Sequence, residues 1–340
     1  MSKIKNISVH FVGNKTTDET LKLSLNHLDI SDEICNILNI YFLSPFKSAE
    51  YYNFYHDIDL NMNDVFVCAS NIFDNPDILF EQSVNLAKHL YEQSTHPKIK
   101  GGEFYVVYFK DCMLDGETVN AVGLFKSENK DIFLKVYPSG EGFEIESEQG
   151  ININKLDKGC LIFNIEKENG YVVSVIDNTN RVTEAQYWID DFLHVRQRKD
   201  EYYNTQNVLS LCKNFVKDEL PQQFEVSKAD QMDFLNKSIK FFKENDNFNM
   251  DEFANEVIAQ PEIIDSFNQY KSLYQKDYDI EFADNFMISD SAVKKQARAL
   301  KSVIKLDKNF HIYVHGNREL IEQGVDNKGK FYKVYYQEES

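Results

Sequence analysis

The amino-acid sequence predicts an α+β protein, with an antiparallel sheet and flanking helices in its N-terminal half and mostly helices in its C-terminal half. Five β-rich runs follow one another within residues 101–176, and the polar turns between them are too short for parallel crossover connections. After residue 183, apolar residues recur at helical spacing over five successive segments. β-rich runs return only near the C-terminus, where a β-hairpin is expected to close this half.

The N-terminal half contains the predicted sheet. Apolar residues alternate at Ile7, Val9 and Phe11, which is typical of a strand with one buried face. Helices are predicted over residues 31–40 and 77–93, where apolar residues recur every three or four positions. The later β-rich runs cover residues 103–110, 119–125, 131–137, 159–165 and 171–177. Their short connections predict an antiparallel meander.

The C-terminal half is predicted to be mostly helical. Trp188, the only tryptophan, shares an apolar helical face with Phe192, so both side chains are expected to be buried. The predicted helices cover residues 183–193, 207–220, 228–242, 250–258 and 262–274. The predicted strands that follow cover residues 302–306, 310–314 and 330–337. We therefore expect two domains, an α+β domain over residues 1–180 and a helical domain over residues 181–340 that ends in a β-hairpin and a basic segment.

The composition excludes several classes of protein. The chain has 26 Phe and 19 Tyr, and 42% of its residues are hydrophobic, which is enough for a sizeable core. No apolar run is long enough to span a membrane, and the N-terminal segment lacks the apolar centre of a signal peptide, so a cytoplasmic protein is expected. The five cysteines are scattered and form no CxxC pair. We therefore expect buried thiols, without disulfides, a structural metal or a cofactor.

Charge is distributed unevenly along the chain. The formal net charge of −18 opposes contact with nucleic acid unless the basic residues are segregated. Residues 289–336 hold ten Lys and Arg and five acidic residues, a net charge of +5. Residues 1–288 carry −21, and two glutamates follow the basic segment. The sequence therefore places its positive charge in one segment near the C-terminus.

The basic segment supplies the candidate nucleic-acid-binding residues, which are Lys294, Lys295, Arg298, Lys301, Lys305, Lys308 and Arg318. The first five follow one another at spacings of 1, 3, 3 and 4 residues. If a helix that begins near residue 289 extends through them, four share one face and could follow a phosphate backbone. The alternative is a solvated helix face, or internal pairing with the acidic remainder of the protein.

No other motif makes a case for an enzyme. Gly101-Gly102-Glu103-Phe104 resembles the loop of cyclic-dinucleotide synthases, but it lacks one acid, and a hairpin start is the better interpretation. Glu128-Asn129-Lys130 fits the E-x-K fragment of some metal-dependent nucleases, but it lies in a predicted turn instead of a strand. His311 and His315 would lie about 13 Å apart on a strand, too far for one metal ion. No catalytic residue is therefore predicted.

Three blocks of the chain resemble a known family. The first is Gly101-Gly102 with the apolar strands that follow, and the second is the apolar helix over residues 187–193. The third comprises residues 304–306, 310–316 and 317–320, a terminal strand followed by a glycine, polar residues and a leucine. Together they resemble the 37-kDa nucleoid-associated bacterial proteins of the NdpA type. The resemblance implies association with the nucleoid and direct or indirect contact with DNA, and it implies no catalytic residues.

Three functional hypotheses follow. The leading one is a non-catalytic, nucleoid-associated protein that binds DNA weakly and without sequence preference, either through its basic segment or through other nucleoid proteins. The second is an acidic protein–protein adaptor or DNA mimic that acts on a basic nucleoid partner, and the third is a metal-dependent, nuclease-like enzyme. A steep salt dependence distinguishes direct DNA binding, and metal-dependent strand cutting would indicate the enzyme. No membrane partner is expected, and homo-oligomerisation is left open.

Overall fold

The computed structural model describes residues 2–179, 187–299, 303–313 and 318–338. The chain divides into two compact units, Met1–Arg198 (unit 1) and Lys199–Ser340 (unit 2). Unit 1 is a sheet with flanking helices, and unit 2 is mostly helical and ends in hairpins. The predicted α+β class is therefore confirmed. The domain boundary expected near residue 180 stays a prediction.

Unit 1 is built around a seven-stranded antiparallel sheet, with the strand order β1-β3-β4-β7-β8-β2-β9. The strands of unit 1 are β1 (Lys3–Val12), β2 (Tyr52–Phe54), β3 (Gly102–Leu114), β4 (Glu117–Ser127), β5 (Asp131–Ser139), β6 (Gly142–Gly150), β7 (Lys158–Phe163), β8 (Val172–Asp177) and β9 (Val195–Gln197). The predicted meander is correct for β3, β4, β7 and β8. Strand β5 is the exception, because it leaves the sheet and pairs with β6 in a separate hairpin.

Helices cover both faces of the sheet. They are α1 (Asp32–Leu43), α2 (Asp64–Asp74), α3 (Leu79–Gln93) and a six-residue π-helix (Trp188–Leu193). Strand β3 shows the consequence, since Phe104, Val106 and Tyr108 enter one core with α2, α3 and the π-helix. The alternate side chains Tyr105 and Val107 enter a second core with α1. Burial on both faces explains why residues 104–109 form a continuous apolar run instead of an alternating one.

Two sequence-based expectations concern buried side chains. Trp188 and Phe192 are 0% and 1% exposed, with ring centroids 4.9 Å apart, so their predicted burial is confirmed. The expectation that the cysteines are buried is correct for four of them, but Cys35 on α1 is only half-buried. The first part of the predicted helix over residues 183–193 lies partly outside the described residues, which resume at Tyr187.

In the described residues, unit 2 is a helical bundle with two short hairpins and one pair of short strands that are distant in sequence. Its helices are α4 (Glu201–Asn214), α5 (Leu220–Gln223), α6 (Lys228–Glu244), α7 (Met250–Phe253), α8 (Pro261–Tyr278) and α9 (Asp290–Ala299), with π-helical turns at Phe215–Glu219 and Ala254–Ile258. The long-range strand pair is β10 (Asn247–Asn249) with β11 (Asn285–Met287), and the hairpins are β12 (Val303–Leu306) with β13 (Phe310–Tyr313) and β14 (Ile321–Asp326) with β15 (Gly329–Val334). No helix among the described residues is long and apolar enough to cross a membrane.

Local chemistry explains where the helices of unit 2 begin. Ser227 and Asp230 form a capping box at the start of α6, in which each side chain accepts a hydrogen bond from the other's backbone N–H. The Asn249 side chain caps α7 by accepting a hydrogen bond from the backbone N–H of Glu252. The interior is filled by packed aromatic rings, including Phe242 stacked on Phe248 with centroids 5.1 Å apart. This core fixes the helices on which the basic segment rests.

Candidate nucleic-acid interface

Helix α9 presents three basic side chains on its exposed surface. Ala292 and Val293 are 0% and 3% exposed, and they anchor the helix where it packs against α4 and α6. Lys294, Lys295 and Arg298 remain exposed. Lys294 and Arg298 are four residues apart, and Lys295 and Arg298 are three apart, so the three cations are neighbours on the helix surface.

The surroundings of these three cations determine whether they are available to an anion. Within the described parts of the chain, no carboxylate forms an ion pair with Lys294 or Arg298. The Lys295 Nζ lies over the Tyr202 ring, 5.6 Å from its centroid. Like charges three or four residues apart on a helix repel one another, so an anion facing this surface would stabilise the arrangement.

The β12–β13 hairpin adds two further candidates. Its inner face buries Ile304 against α6, with Leu306 and Ile312 packed around it. Lys305 pairs with His311 across the hairpin, so both point to the opposite, exposed face. Lys308 is exposed in the turn. Neither Lys305 nor Lys308 has an ion-pair partner among the described residues.

Arg318, one of the seven candidate residues, is engaged elsewhere in the structure. Arg318 donates from Nε to Asp230 Oδ1 over 2.7 Å and from Nη1 to the Ile321 carbonyl, so its guanidinium ties the chain to the start of α6. Lys301 lies outside the described residues. The continuous helical face expected through residue 305 does not form, because α9 ends at Ala299 and Lys305 lies in a strand.

The α9 cations and the hairpin cations lie on two elements that contact the same helix. Helix α9 and strand β12 both pack against α6. We use the name basic surface for Lys294, Lys295 and Arg298 on α9 together with Lys305 and Lys308 on the hairpin. The sequence supplied all five of these residues, but their grouping depends on α6, which lies about 50 residues earlier in the chain.

A buried polar cluster in unit 1 was not predicted from the sequence. Lys126 is 0% exposed, and its Nζ donates to the Lys100 carbonyl at 2.7 Å and to the Tyr187 hydroxyl at 3.2 Å. It also lies 3.2 Å from Glu128 Oε1, which accepts a 2.7 Å hydrogen bond from Tyr187. The sequence signal is a lysine that follows an apolar strand, where an exposed side chain would ordinarily be assumed.

A second buried lysine lies beside this cluster. The Lys158 Nζ donates to both carboxylate oxygens of Asp177, each at 2.8 Å, and lies 5.0 Å from the centroid of the Tyr187 ring. Asp157 accepts hydrogen bonds from the backbone N–H groups of Glu128 and Asn129, at 2.7 and 2.8 Å. Glu128, Asp157, Lys158 and Tyr187 line a polar cavity of about 290 Å³.

Burial controls the proton equilibria of this cluster. Burial lowers the pKa of the Lys126 ammonium, and the adjacent Glu128 carboxylate partly opposes the effect. Burial and the Glu128 carboxylate both raise the pKa of the Tyr187 hydroxyl well above its usual value. Since the charged groups are matched to one another by hydrogen bonds, we interpret the cluster as an internal brace between β4, β7 and β8.

The remaining motifs form no catalytic constellation. Glu128 of the E-x-K fragment belongs to the buried cluster, and Lys130 forms an ion pair with Glu103 of the Gly-Gly-Glu-Phe segment. No group of three His, Cys, Asp or Glu side chains among the described residues could hold a metal ion. His311 is exposed on β13, whereas His315 lies outside the residues that the structure describes.

Comparison with known proteins identifies the family. A family model described as nucleoid-associated protein YejK matches residues 8–330, which include both units and the whole basic surface. A comparison with curated proteins finds no match. Because the family match covers nearly all of the sequence, the chain belongs to the family of the nucleoid-associated protein YejK, and the resemblance drawn from its sequence is confirmed.

Proposed function

We propose that this nucleoid-associated protein binds DNA directly, through the basic surface of unit 2. The observation that carries the proposal is a group of exposed cations, Lys294, Arg298, Lys305 and Lys308, that have no ion-pair partner among the described residues of a chain with a net charge of −18. An acidic protein has many carboxylates with which to neutralise exposed lysines. The lack of such pairs here leaves the cations available to phosphate groups.

The number of cations on the basic surface determines how steeply DNA binding should depend on salt concentration. Five basic side chains neutralise at most about five phosphates, which corresponds to a slope of about −4.5 in a plot of log K against log salt concentration. Doubling the salt concentration should then weaken binding by about 20-fold. Lysine and arginine contacts to phosphates read no base identity, so binding should be largely independent of sequence. The acidic remainder should keep the affinity low.

We also propose that binding occurs without catalysis. The acidic side chain of the E-x-K fragment, Glu128, is 4% exposed and is held by Lys126 and Tyr187. Its carboxylate is therefore engaged by these two partners, whereas nuclease chemistry needs an acidic group that is available to a metal ion beside the DNA strand. Incubation of supercoiled DNA with the protein and Mg²⁺ should leave the DNA uncut. Metal-dependent nicking that is lost in Glu128→Gln would support a nuclease instead.

The direct test is charge reversal on α9. The Lys294→Glu/Lys295→Glu/Arg298→Glu variant should lose retention on immobilised DNA at low salt while keeping its fold, since exposed charges contribute little to stability. The matched control is Lys237→Glu/Lys240→Glu/Lys243→Glu, which reverses three exposed lysines on α6 and changes the net charge equally. This control should retain most of the binding.

Two outcomes would contradict the proposal. If the α9 variant binds DNA as well as the parent protein, the basic surface is a solvated face, and the acidic adaptor becomes the leading hypothesis. If both triple variants lose binding to the same extent, net charge and not the basic surface determines retention. Pull-down from lysate with and without nuclease treatment would then identify proteins that remain bound without DNA.

A further inference from the structure

The β5–β6 hairpin carries an apolar face whose large side chains are exposed. Its two strands pair along their whole length, from Asp131 opposite Gly150 to Ser139 opposite Gly142, and β5 and β6 pair only with each other among the described strands. Because successive strand residues point to opposite sides, this register sorts the hairpin into two faces. The residues of the apolar face are Ile132, Leu134, Val136, Pro138, Phe143 and Ile145, and Ser147 and Gln149 complete it without any charge.

These apolar side chains are exposed to an extent that is unusual for their size. Ile132 is 70% exposed, Leu134 71%, Val136 58%, Phe143 75% and Ile145 67%. They are contiguous, since Val136 lies directly opposite Ile145. Single exposed apolar residues are common, but a continuous exposed patch marks an interaction surface. An isolated two-stranded hairpin is also only marginally stable in water, so it gains stability when this face is covered.

The other face of the hairpin, which we name the polar face, is suited to water. Tyr137 donates to Glu144 at 3.2 Å or to Glu146 at 2.6 Å, and Lys135 lies 4.0 Å from Glu148. These groups find partners within the hairpin itself. The hairpin is therefore amphipathic, and the large side chains of its apolar face are exposed.

We propose that the apolar face is the contact surface between two copies of this chain, related by a two-fold axis. With roughly 200 Å² for a large side chain, the exposed fractions of the five residues amount to about 700 Å² per protomer, close to the ~800 Å² that each partner buries in a standard interface. A two-fold axis places the same patch against itself, which suits a face that is uniformly apolar.

Charge also favours a second copy as the occupant. The apolar face has no ionisable side chain, so two chains of net charge −18 can meet there without bringing acidic groups into contact. The acidic residues Glu144, Glu146 and Glu148 then lie on the outside of the pair, exposed to solvent. DNA and basic proteins have no complementary charge to recognise on the apolar face. This inference does not depend on the proposed DNA contact.

Sedimentation equilibrium of the full chain tests the inference. The parent protein should have twice the 39.7 kDa mass of one chain, and Leu134→Lys/Ile145→Lys should sediment as a single chain. The matched control, Glu146→Gln/Glu148→Gln, makes the same change in net charge on the polar face and should remain a dimer. Circular dichroism establishes whether each variant retains its strand content.

A milder variant keeps the test decisive if the lysine substitutions disturb the hairpin. Leu134→Ala/Ile145→Ala should raise the dimer dissociation constant by at least about tenfold, because two large side chains near the centre of the patch are truncated. A parent protein that is monomeric at about 100 µM overturns the inference, since specific dimers of this area associate well below that concentration. A dimer that persists in the lysine variant also overturns it, because the two chains must then join elsewhere.

Discussion

Acid should destabilise unit 1 through one buried histidine. His10 on β1 is 2% exposed, and its Nδ1 accepts a 3.1 Å hydrogen bond from the backbone N–H of Ser24. Nε2 lies 2.8 Å from the hydroxyl of Ser83, which itself donates to the Phe80 carbonyl at 2.6 Å. This arrangement requires the neutral ring with its proton on Nε2. Protonation of Nδ1 would break the bond to Ser24 and charge a buried ring.

The size of the effect follows from the pKa. Burial lowers the pKa of His10 from its ordinary 6.5 to about 4. The unfolded chain therefore binds one more proton than the folded chain between these two values, and stability is lost as the pH falls through that window. The difference between these two pKa values corresponds to roughly 3 kcal/mol of folding stability. This contribution is fully present above about pH 6.5 and is lost below about pH 4.

Urea unfolding at a series of pH values between 7 and 4 measures this loss. The fluorescence of Trp188, the only tryptophan, reports on unit 1, which also contains His10. The parent protein should lose about 3 kcal/mol more than His10→Gln over this range, since glutamine does not titrate. The exposed His311→Gln variant serves as the control and should behave like the parent. Equal pH dependence in the parent and in His10→Gln would refute the reasoning.

Three further predictions concern stability. Trp188→Ala should destabilise unit 1 by about 3–5 kcal/mol in urea unfolding followed by circular dichroism, and a loss below about 1 kcal/mol would show that the ring does not fill the core. Lys158→Met should lower the free energy of unfolding by about 3–5 kcal/mol because it leaves Asp177 charged and buried. Lys158→Met/Asp177→Leu should recover most of that loss. Equal stability of the single and double variants would contradict the interpretation of the buried cluster as a brace. Arg318→Ala should lower the melting temperature of unit 2 through the lost hydrogen bonds to Asp230 and to the Ile321 carbonyl, with little change in DNA affinity. The opposite pattern would place Arg318 on the basic surface.

The spacing of apolar residues along the chain predicted most of the helices and strands. The helices predicted over residues 31–40 and 228–242 correspond to α1 and α6, which begin after Ser31 and Ser227 because these side chains accept free N–H groups of the first turn. Helix α2 was missed because most of its residues are apolar, and a nearly continuous apolar run does not distinguish a buried helix from a strand. Strand β6 was missed because alternating glutamates have low strand propensity, and its pairing with β5 supplies what local preference does not.

The basic surface could be predicted only in part. Segregation of charge is visible in the sequence, and it identified Lys294, Arg298 and Lys305. Whether a cation is available depends on partners far away in the chain, and Arg318 meets Asp230 across 88 residues. The same limit applies to Lys126, since burial of a lysine depends on tertiary contacts that no local pattern encodes.

The salt dependence of DNA binding tests the proposed function most directly. Fluorescence anisotropy of a labelled duplex between 50 and 200 mM NaCl gives the slope of log K against log salt for the parent protein and for Lys294→Gln/Lys295→Gln/Arg298→Gln. The parent slope should be about −4.5, and removal of three phosphate contacts should reduce its magnitude by about 2.7. An identical slope in the neutralised variant, or binding by the parent protein that does not depend on salt, would contradict direct contact through the basic surface.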